Sequence, residues 1–502
     1  MLSALSQWQA ALPAQRVQTS AEALRVATAC TFACTRRVTA ILVPENLAQV
    51  RSILRIAAST RHAVYPYSRG CNWGLGSKMP AANDCALLDL SAMDRILDYD
   101  ADLGTLTVEP GVHFAQAAAF LKQQKSAFYC SVTGGSAYGS LIGNALERGG
   151  GDGPYGERAA HMTALELVLA GGEVIHTGFD RFAGASTAKL SRTGVGPSLT
   201  GLIAQSNFGV VTRATIWLAR RPSASHLVNA TVASTALLAP AIDALRLLLQ
   251  SQVLYPHGST IWNSYKLAVR DGRLPSAGTV TLPPDPVVTE DAEPWTLSVV
   301  VEGASPEIAD ALLAQVRKVL APQVRDFSVV PVEALPSAER KLLEPGNPTG
   351  HNVLSVYWRK KTALPAVEDT DPDRDRCGVI WICPSLPLDG KTVAPVMAGI
   401  KQRIRAHGLE PNLGLNPISP RLFDVYAALV YDRDVAGEDA RAMACHDALM
   451  RWLVSEGHLP YRLGVQSFGM LPDASDDSRA LMRRIKSAFD PHNVVAPGRY
   501  AA

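Results

Sequence analysis

The stretch Ser68-Arg69-Gly70-Cys71-Asn72-Trp73-Gly74-Leu75-Gly76 follows an apolar run, residues 63–67, that we predict to be a strand. A second glycine-rich stretch, Thr133-Gly134-Gly135-Ser136-Ala137-Tyr138-Gly139-Ser140-Leu141-Ile142-Gly143-Asn144, continues through Glu147-Arg148-Gly149 to Pro154-Tyr155-Gly156. Glycine has no Cβ, so clustered glycines let backbone N–H groups close around a diphosphate. Two such segments, supported by Gln205-Ser206-Asn207-Phe208-Gly209-Val210-Val211, indicate a dinucleotide site rather than unrelated tight turns.

Two common phosphate-binding motifs are disfavoured. Residues 151–156 match GxGxxG, but no predicted strand precedes them and Pro154 lies inside the match, so a Rossmann site is not expected. The GxxxxGK[ST] loop does not occur in the sequence.

The order of predicted elements indicates two kinds of region. Strands and helices alternate between residues 43 and 120, which is typical of an α/β or α+β fold. After Arg220-Arg221-Pro222 the predicted helices become longer and proline-rich loops separate them, up to about Gly457. This change predicts a separate domain inserted between the front part of the chain and a C-terminal tail.

Composition excludes several classes of protein. The chain has 502 residues, 47% hydrophobic and 19% charged, with a formal net charge of +2. This balance gives no reason to expect a nucleic acid or membrane partner, and without a signal peptide pattern we expect a cytoplasmic enzyme. The 8 cysteines are scattered without a CxxC pair, so neither a disulfide framework nor a metal site is expected.

These motifs together resemble the vanillyl-alcohol oxidase / p-cresol methylhydroxylase (PCMH) family of FAD-dependent oxidoreductases. The first glycine-rich segment resembles the family's FAD-binding loop, and Gly143-Asn144-Ala145-Leu146-Glu147-Arg148-Gly149 matches GNxxERG. QSNxGxVT matches residues 205–212, and DPxxxxAPG matches Asp490-Pro491-His492-Asn493-Val494-Val495-Ala496-Pro497-Gly498. The motifs occur in the family's order over nearly the whole chain.

The resemblance implies an α+β fold: a PCMH-type, two-subdomain FAD domain and an α+β cap domain with an antiparallel sheet. We expect the FAD domain at residues 1–220, the cap at residues 221–457 and a tail returning to the FAD domain at residues 458–502. The residues expected to hold FAD are Ser68, Arg69, Gly70, Cys71, Asn72, Trp73, Gly74, Gly134, Ser140, Gly143, Asn144, Gly149, Val210 and Arg499.

The resemblance also implies a substrate site. The family's Tyr-Arg pair, which binds a phenolic oxygen, matches Tyr461-Arg462, whereas Leu75 stands where relatives carry a third phenolate-binding tyrosine. Gly135 replaces the aspartate that assists hydration of a quinone methide. Asp152 stands where relatives often carry a tyrosine that lines the pocket, and it is either an active-site acid or a turn residue. We expect the rest of the pocket to include Trp381 and Ile382.

The flavin is expected to be non-covalently bound. Relatives often link it to a His or Tyr on a cap strand, which corresponds to residues 377–383, and this stretch contains neither residue. Their helping His-His pair corresponds to Asp424-Val425. A thioether through Cys130, Cys377 or Cys383 is the alternative, but buried structural cysteine is the preferred interpretation.

The sequence therefore predicts an FAD enzyme that transfers a hydride from a small phenolic or other aromatic substrate to flavin N5, in an oxidation, desaturation or oxidative cyclisation. The electron acceptor, oxygen or another compound, and a homodimer are left open. One alternative is an alcohol dehydrogenase that passes electrons to a protein or quinone. Another is a degenerate FAD-binding protein without turnover.

Overall fold

A computed structural model describes residues 3–270, 293–360 and 365–500. Helices and largely antiparallel sheets are mixed along the chain, which confirms the α+β prediction. Three larger sheets organise the molecule, and each has its own hydrophobic core.

The first sheet contains the predicted strand before the first glycine-rich segment. Its order is β1-β2-β4-β3, with β4 parallel to both β2 and β3. The amphipathic helix α3 begins at the side-chain cap of Asn46 and buries Val50, Ile53 and Leu54 against this sheet. The elements are α1 Ala4–Ala11, β1 Val17–Gln18, α2 Ala21–Ala27, β2 Val38–Leu42, α3 Leu47–Thr60, β3 Val64–Tyr67 and β4 Cys85–Asp89.

The second sheet carries the second glycine-rich segment. Its strands are antiparallel in the order β5-β6-β10-β8-β9, and the predicted hairpin is β8–β9. A short β7–β11 pair lies beside it. The elements are β5 Ile96–Asp100, β6 Thr105–Val108, α4 Phe114–Gln123, β7 Phe128–Tyr129, α5 Leu141–Leu146, β8 Met162–Val168, β9 Val174–His176, α6 Thr200–Ile203, β10 Val210–Trp217 and β11 Ala219–Arg220.

The third sheet is antiparallel, in the order β15-β12-β14-β13-β18-β19-β16, with β17 paired to β19. Helices α7, α9, α11 and α12 cover one of its faces and form the largest core with it. The elements are β12 Ala224–Val232, α7 Leu238–Gln250, β13 Ser259–Asn263, α8 Ser264–Arg270, β14 Trp295–Gly303, α9 Pro306–Leu320, β15 Arg325–Pro331, α10 Ser337–Leu343, β16 Cys377–Ile382, β17 Ser385–Pro387, α11 Gly390–Ala406, β18 Asn412–Ser419, β19 Leu422–Asp432, α12 Glu438–Ser455 and α13 Asp476–Phe489.

The end of the chain returns to the first sheet. Val64 forms a parallel bridge with Val495, and its backbone N–H donates to the carbonyl of Val494 at 2.8 Å. Lys486 on α13 is buried and donates to Asp490 at 2.7 Å and to the Val495 carbonyl at 2.9 Å. The division into residues 1–220, 221–457 and 458–502 stays a proposal.

The first glycine-rich segment packs directly against the third sheet. The Gly74 N–H donates to the Thr31 hydroxyl at 2.8 Å, and the Trp381 N–H donates to the Gly74 carbonyl at 3.1 Å. Gly74 has φ +78, and a Cβ added there would lie 2.2 Å from the Trp381 ring. Glycine is therefore required at position 74 both for its backbone angle and for the space that the indole occupies.

Every one of the eight cysteines is a free thiol. Within the described ranges, no helix is both long enough and apolar enough to cross a bilayer, and no group of His, Cys, Asp or Glu side chains is arranged to hold a metal ion.

We expect Gly74→Ala to destabilise the chain more than Gly457→Ala does. Gly457 has nearly the same angle, φ +79, but nothing lies within 4 Å of its added Cβ. The control substitution should therefore cost only the backbone term, about 1–2 kcal/mol. Gly74→Ala should cost about 1–3 kcal/mol more because the Trp381 ring must move. Urea denaturation measures both losses, and equal losses would contradict the close packing of Gly74 on Trp381.

A second prediction concerns Glu302, which lies on the face of β14 opposite the core. Burial, with a smaller contribution from the nearby Asp152 carboxylate, raises the pKa of Glu302 from 4.5 to about 7. The folded chain thus holds this proton more tightly than the unfolded chain. The stability that this proton contributes is fully present below pH 4.5 and is lost as the pH rises through about 7.

Glu302→Gln should remove this loss. Relative to the unsubstituted protein, the variant should gain up to about 3 kcal/mol between about pH 5 and about pH 8. Glu339→Gln, at an exposed position on α10, is the matched control and should leave the pH dependence of Tm unchanged. Parallel Tm–pH curves for Glu302→Gln and the unsubstituted protein would show that Glu302 ionises normally.

Candidate active site

A cleft lies where the two glycine-rich segments meet the C-terminal tail. Its walls come from within residues 65–72, 139–147, 205–211 and 495–499, together with Arg462. The sequence motifs that seemed separate along the chain therefore face one another across a single cavity.

Most residues predicted to hold FAD line this cleft. At its narrowest wall, a Cβ added to Gly143 would lie 3.2 Å from the Ser68 hydroxyl, so glycine allows the two segments to approach closely. The lining residues among those predicted are Ser68, Arg69, Gly70, Cys71, Asn72, Ser140, Gly143, Asn144, Val210 and Arg499.

Four predicted residues lie outside the cleft for packing reasons. Trp73 packs with the cluster beneath β16, and Gly74 contacts the Trp381 ring. Gly134 approaches the Asn352 amide, and Gly149 lies against the side chain of Asn144. These residues shape the two segments but do not line the cavity, because their Cα atoms face other protein groups.

The charge of the cleft suits a diphosphate. Three arginines, Arg69, Arg462 and Arg499, line it, and Glu147 is the only acidic lining residue among those that the structure describes. Glu147 forms an ion pair with Arg499, and it lies 3.7 Å from Arg462 Nε. The excess positive charge and the glycine-lined wall fit FAD, whose diphosphate is anionic.

Arg462 is held by both glycine-rich segments. Its guanidinium donates to the Asn72 side-chain oxygen at 2.5 Å and faces Glu147 from the other side. Arg462 Nε is buried without a hydrogen-bond partner in the part of the chain that the structure describes. This donor is available to a bound group in the cleft.

Tyr461 lies beside a second tyrosine that the sequence did not single out. The rings of Tyr461 and Tyr426 are 6.3 Å apart at an angle of 69°, and their hydroxyl groups are hydrogen-bonded. Burial raises the pKa of Tyr461 well above its ordinary value, so both phenols stay protonated and can donate. Tyr426 thus supplies a second tyrosine hydroxyl beside Tyr461.

Asp424 is a buried acid next to this tyrosine pair. It lies two residues before Tyr426 on β19, so the two side chains share one face of the strand, and it accepts from the Ser385 hydroxyl at 2.7 Å. Burial raises the pKa of Asp424 to about 7. In the sequence analysis Asp424 appeared only as the residue at the position of a histidine in relatives. Its ability to act as an acid or base comes from its burial, which the local sequence pattern does not reveal.

The Asp152 carboxylate is held by backbone amides. Its carboxylate accepts from the Val132 N–H at 2.6 Å and from the Gly346 N–H at 3.4 Å. Burial nevertheless raises its pKa. These contacts join the second glycine-rich segment to the region of residue 346. Whether Asp152 acts as an acid or only as a structural residue stays a prediction.

The remaining predicted pocket residues divide between two faces. Trp381 and Ile382 are neighbours on β16, so their side chains point in opposite directions. The Trp381 side packs toward the first glycine-rich segment, whereas Ile382 belongs to the core of the third sheet, and we leave Ile382 out of the pocket. Leu75 is buried, and its carbonyl accepts from the Val465 N–H at 3.1 Å.

The cysteines near the site are poor nucleophiles. Burial raises the pKa values of Cys130, Cys377 and Cys383 to about 12, so the thiols are protonated near neutral pH. A thiolate is needed for attack on a flavin methyl group, and these environments disfavour it.

Comparisons with known proteins agree with this geometry. A family profile described as an FAD binding domain matches residues 38–178. The chain is 38% identical over 526 residues to 1'-carboxy-chondrochloren decarboxylase of Chondromyces crocatus, covering 99% of this chain and 96% of that protein. It is 27% identical over 482 residues to the 4-cresol dehydrogenase [hydroxylating] flavoprotein subunit of Pseudomonas putida, covering 92% and 87%.

A crystal structure of p-cresol methylhydroxylase with substrate bound superposes with a TM-score of 0.88 at 25% identity, covering 99% of this chain and 96% of that one. Both glycine-rich segments and the tail motif lie within these matches. The chain therefore belongs to the vanillyl-alcohol oxidase / p-cresol methylhydroxylase family of FAD-dependent oxidoreductases.

Proposed function

We propose that the enzyme oxidises a para-substituted phenol at its benzylic carbon and that the product then loses CO₂ from the adjacent side-chain carbon. The observation that carries the phenol assignment is the grouping of two buried tyrosine hydroxyls, Tyr461 and Tyr426, with the guanidinium of Arg462. A phenolate oxygen accepts hydrogen bonds from such donors, and the fixed cation offsets its charge.

FAD supplies a two-electron acceptor when it is bound. The chain's own residues orient the phenol and stabilise its anion, so that a hydride can leave the benzylic carbon. In this proposal Asp424, whose pKa burial raises to about 7 and whose side chain shares a strand face with Tyr426, accepts the phenolic proton. Loss of this proton and of the hydride oxidises the substrate to a p-quinone methide.

The fate of the quinone methide depends on Gly135. No carboxylate is present at this position, and a Cβ added there would meet only the Thr133 side chain. Water addition therefore lacks the base that relatives use. A carboxylate on the next carbon can instead leave as CO₂. The electron pair of the broken C–C bond then forms the alkene and restores the aromatic phenolate. The extensive similarity to a protein named as a decarboxylase supports this outcome.

Product analysis tests the proposal. The purified holoenzyme is mixed anaerobically with 3-(4-hydroxyphenyl)propionate and with analogues substituted at C2. We expect bleaching of the flavin absorbance band and formation of the corresponding 4-vinylphenol with one CO₂ per flavin reduced. A benzylic alcohol or a 4-hydroxycinnamate would contradict decarboxylation, and a flavin that none of the phenols reduces would contradict phenol oxidation itself.

Substitutions in the phenol site give an independent control. Arg462→Met should lower kcat/KM at least about tenfold, a loss of about 1.4 kcal/mol of transition-state stabilisation. Arg451→Met removes an exposed arginine from α12 and should leave kcat/KM unchanged. An unchanged kcat/KM for Arg462→Met would remove this guanidinium from the site.

We also propose that FAD is bound without a covalent link. The strand Cys377–Ile382 offers neither His nor Tyr, and its cysteine is buried and protonated. Acid precipitation of the yellow protein should therefore release the flavin into the supernatant. Flavin absorbance retained in the washed pellet would show that another residue forms the link.

A further inference from the structure

Arg158 is a buried cation near the proposed phenol site, which consists of Tyr461, Tyr426 and Arg462. It is 3% exposed, and one of its terminal nitrogens donates to the Asn144 side chain and to the carbonyls of Gly149 and Gly150 at 3.0 and 2.7 Å. The other two nitrogens, Nε and Nη1, are buried without a hydrogen-bond partner among the described residues.

No carboxylate lies within 4.0 Å of the Arg158 guanidinium in the described part of the chain. Asp152 is near enough to interact electrostatically, but its oxygens accept from the amides of Val132 and Gly346. Burial lowers the pKa of Arg158 to about 10, so the side chain remains charged at neutral pH. A buried guanidinium with free donors is costly unless an anion accompanies it.

His257 adds a second unpartnered nitrogen on the same side. Its Nε2 is buried without a hydrogen-bond partner among the described residues. Burial, with the nearby Arg158 charge, lowers the pKa of His257 to about 4, so the imidazole is neutral and does not compete as a cation. A Cβ added to Gly156 would lie 2.2 Å from the His257 ring, which places the imidazole directly on this segment.

The phenol site adjoins these two groups. A Cβ added to Gly150 would lie 3.2 Å from the Tyr426 hydroxyl and 3.9 Å from the His257 ring. Arg158 also interacts electrostatically with both Tyr426 and Arg462. The region thus holds two guanidinium groups and the hydroxyl of Tyr426, which lies against the glycine-rich segment at Gly150.

We infer that Arg158, assisted by neutral His257, binds a carboxylate on the side chain of the phenolic substrate. This assignment rests on the proposed phenol oxidation and names the substrate class of the same site: para-hydroxyphenyl compounds with an acid group on the side chain. The free Nε and Nη1 atoms can each donate a hydrogen bond, and a carboxylate oxygen is the acceptor whose charge also offsets the guanidinium.

This arrangement also suits the loss of CO₂. As the C–C bond breaks, its electron pair forms the alkene, the ring becomes aromatic, and the negative charge appears on the phenolic oxygen. The negative charge therefore leaves the Arg158 end of the substrate and arrives at the Arg462 end. A cation at each end lets the charged substrate enter a buried site and then stabilises the charge that develops.

Binding of two inert ligands tests the inference. (4-Hydroxyphenoxy)acetate carries an ether oxygen in place of the benzylic carbon, so it cannot lose a hydride there, and (4-hydroxyphenoxy)acetamide differs only in lacking the charge. Perturbation of the flavin spectrum of the holoenzyme measures both dissociation constants. We expect the carboxylate to bind at least roughly 10-fold more tightly than the amide.

In Arg158→Gln the ratio should fall to about one, with the affinity for the amide retained. Arg158→Lys keeps the positive charge but changes the positions of the donors, and it should give an intermediate ratio. Because Arg158 also supports the carbonyls of residues 149 and 150, the lysine variant covers the case in which the glutamine variant loses FAD. Arg484→Gln removes an exposed arginine from α13 and should leave the ratio unchanged.

Equal affinities of the unsubstituted enzyme for the two ligands, or an unchanged ratio in Arg158→Gln or Arg158→Lys, would overturn the inference. These outcomes are separable from failure of the proposed function. If phenols reduce the flavin but the carboxylate is not preferred, only the carboxylate site is wrong. If the phenols neither bind nor reduce the flavin, phenol oxidation itself is wrong.

Discussion

One carboxylate, Glu147, is shared by two arginines that arrive from the far end of the chain. It pairs with Arg499 and lies 3.7 Å from Arg462, which also binds Asn72. These contacts join the second glycine-rich segment, the first one and the tail within a few ångströms. Burial strengthens such charge contacts, since little water competes for them. The two glycine-rich segments and the tail are thus held around the cleft by one small group of charged and polar side chains.

Around this junction, the close packing depends on glycines, which have no Cβ atom. Glycine at position 143 leaves room for the Ser68 hydroxyl, and glycine at position 74 leaves room for the Trp381 ring. Side chains from other elements, among them aromatic rings and guanidinium groups, fill the space that a Cβ atom would occupy. Such close approach leaves few alternative positions for those groups, which keeps the donors of the site preorganised.

The sequence predicted those parts of the site that lie in contiguous motifs. The strand before Ser68, the hairpin β8–β9 and the helices of the third sheet occur as expected, and most predicted FAD contacts line the cleft. Some predicted site residues lie away from the cleft because of strand alternation and local packing. Ile382 follows Trp381 and must point the other way, and Gly149 faces the side chain of Asn144.

Sequence motifs could not identify three other residues of the site, Tyr426, Asp424 and Arg158. Each is an ordinary residue in its local pattern, and its chemistry comes from burial and from partners on other elements. Tyr426 reaches Tyr461 only because β19 lies next to the segment that follows Cys383, whose carbonyl accepts from the Tyr461 N–H. Long-range register of this kind is set by tertiary packing, which no local spacing encodes.

The parallel bridge between Val64 and Val495 has a consequence for biosynthesis. Strand β3, near residue 64, finds this neighbour only after residue 495 has left the ribosome. Until then the edge of β3 and the apolar side chains of Val494 and Val495 lack their native partners, and contacts this distant in sequence form slowly. The edge of β3 therefore stays unpaired until the residues that complete the cofactor site have been synthesised. A chaperone or a bound flavin would have its largest effect on folding during this interval.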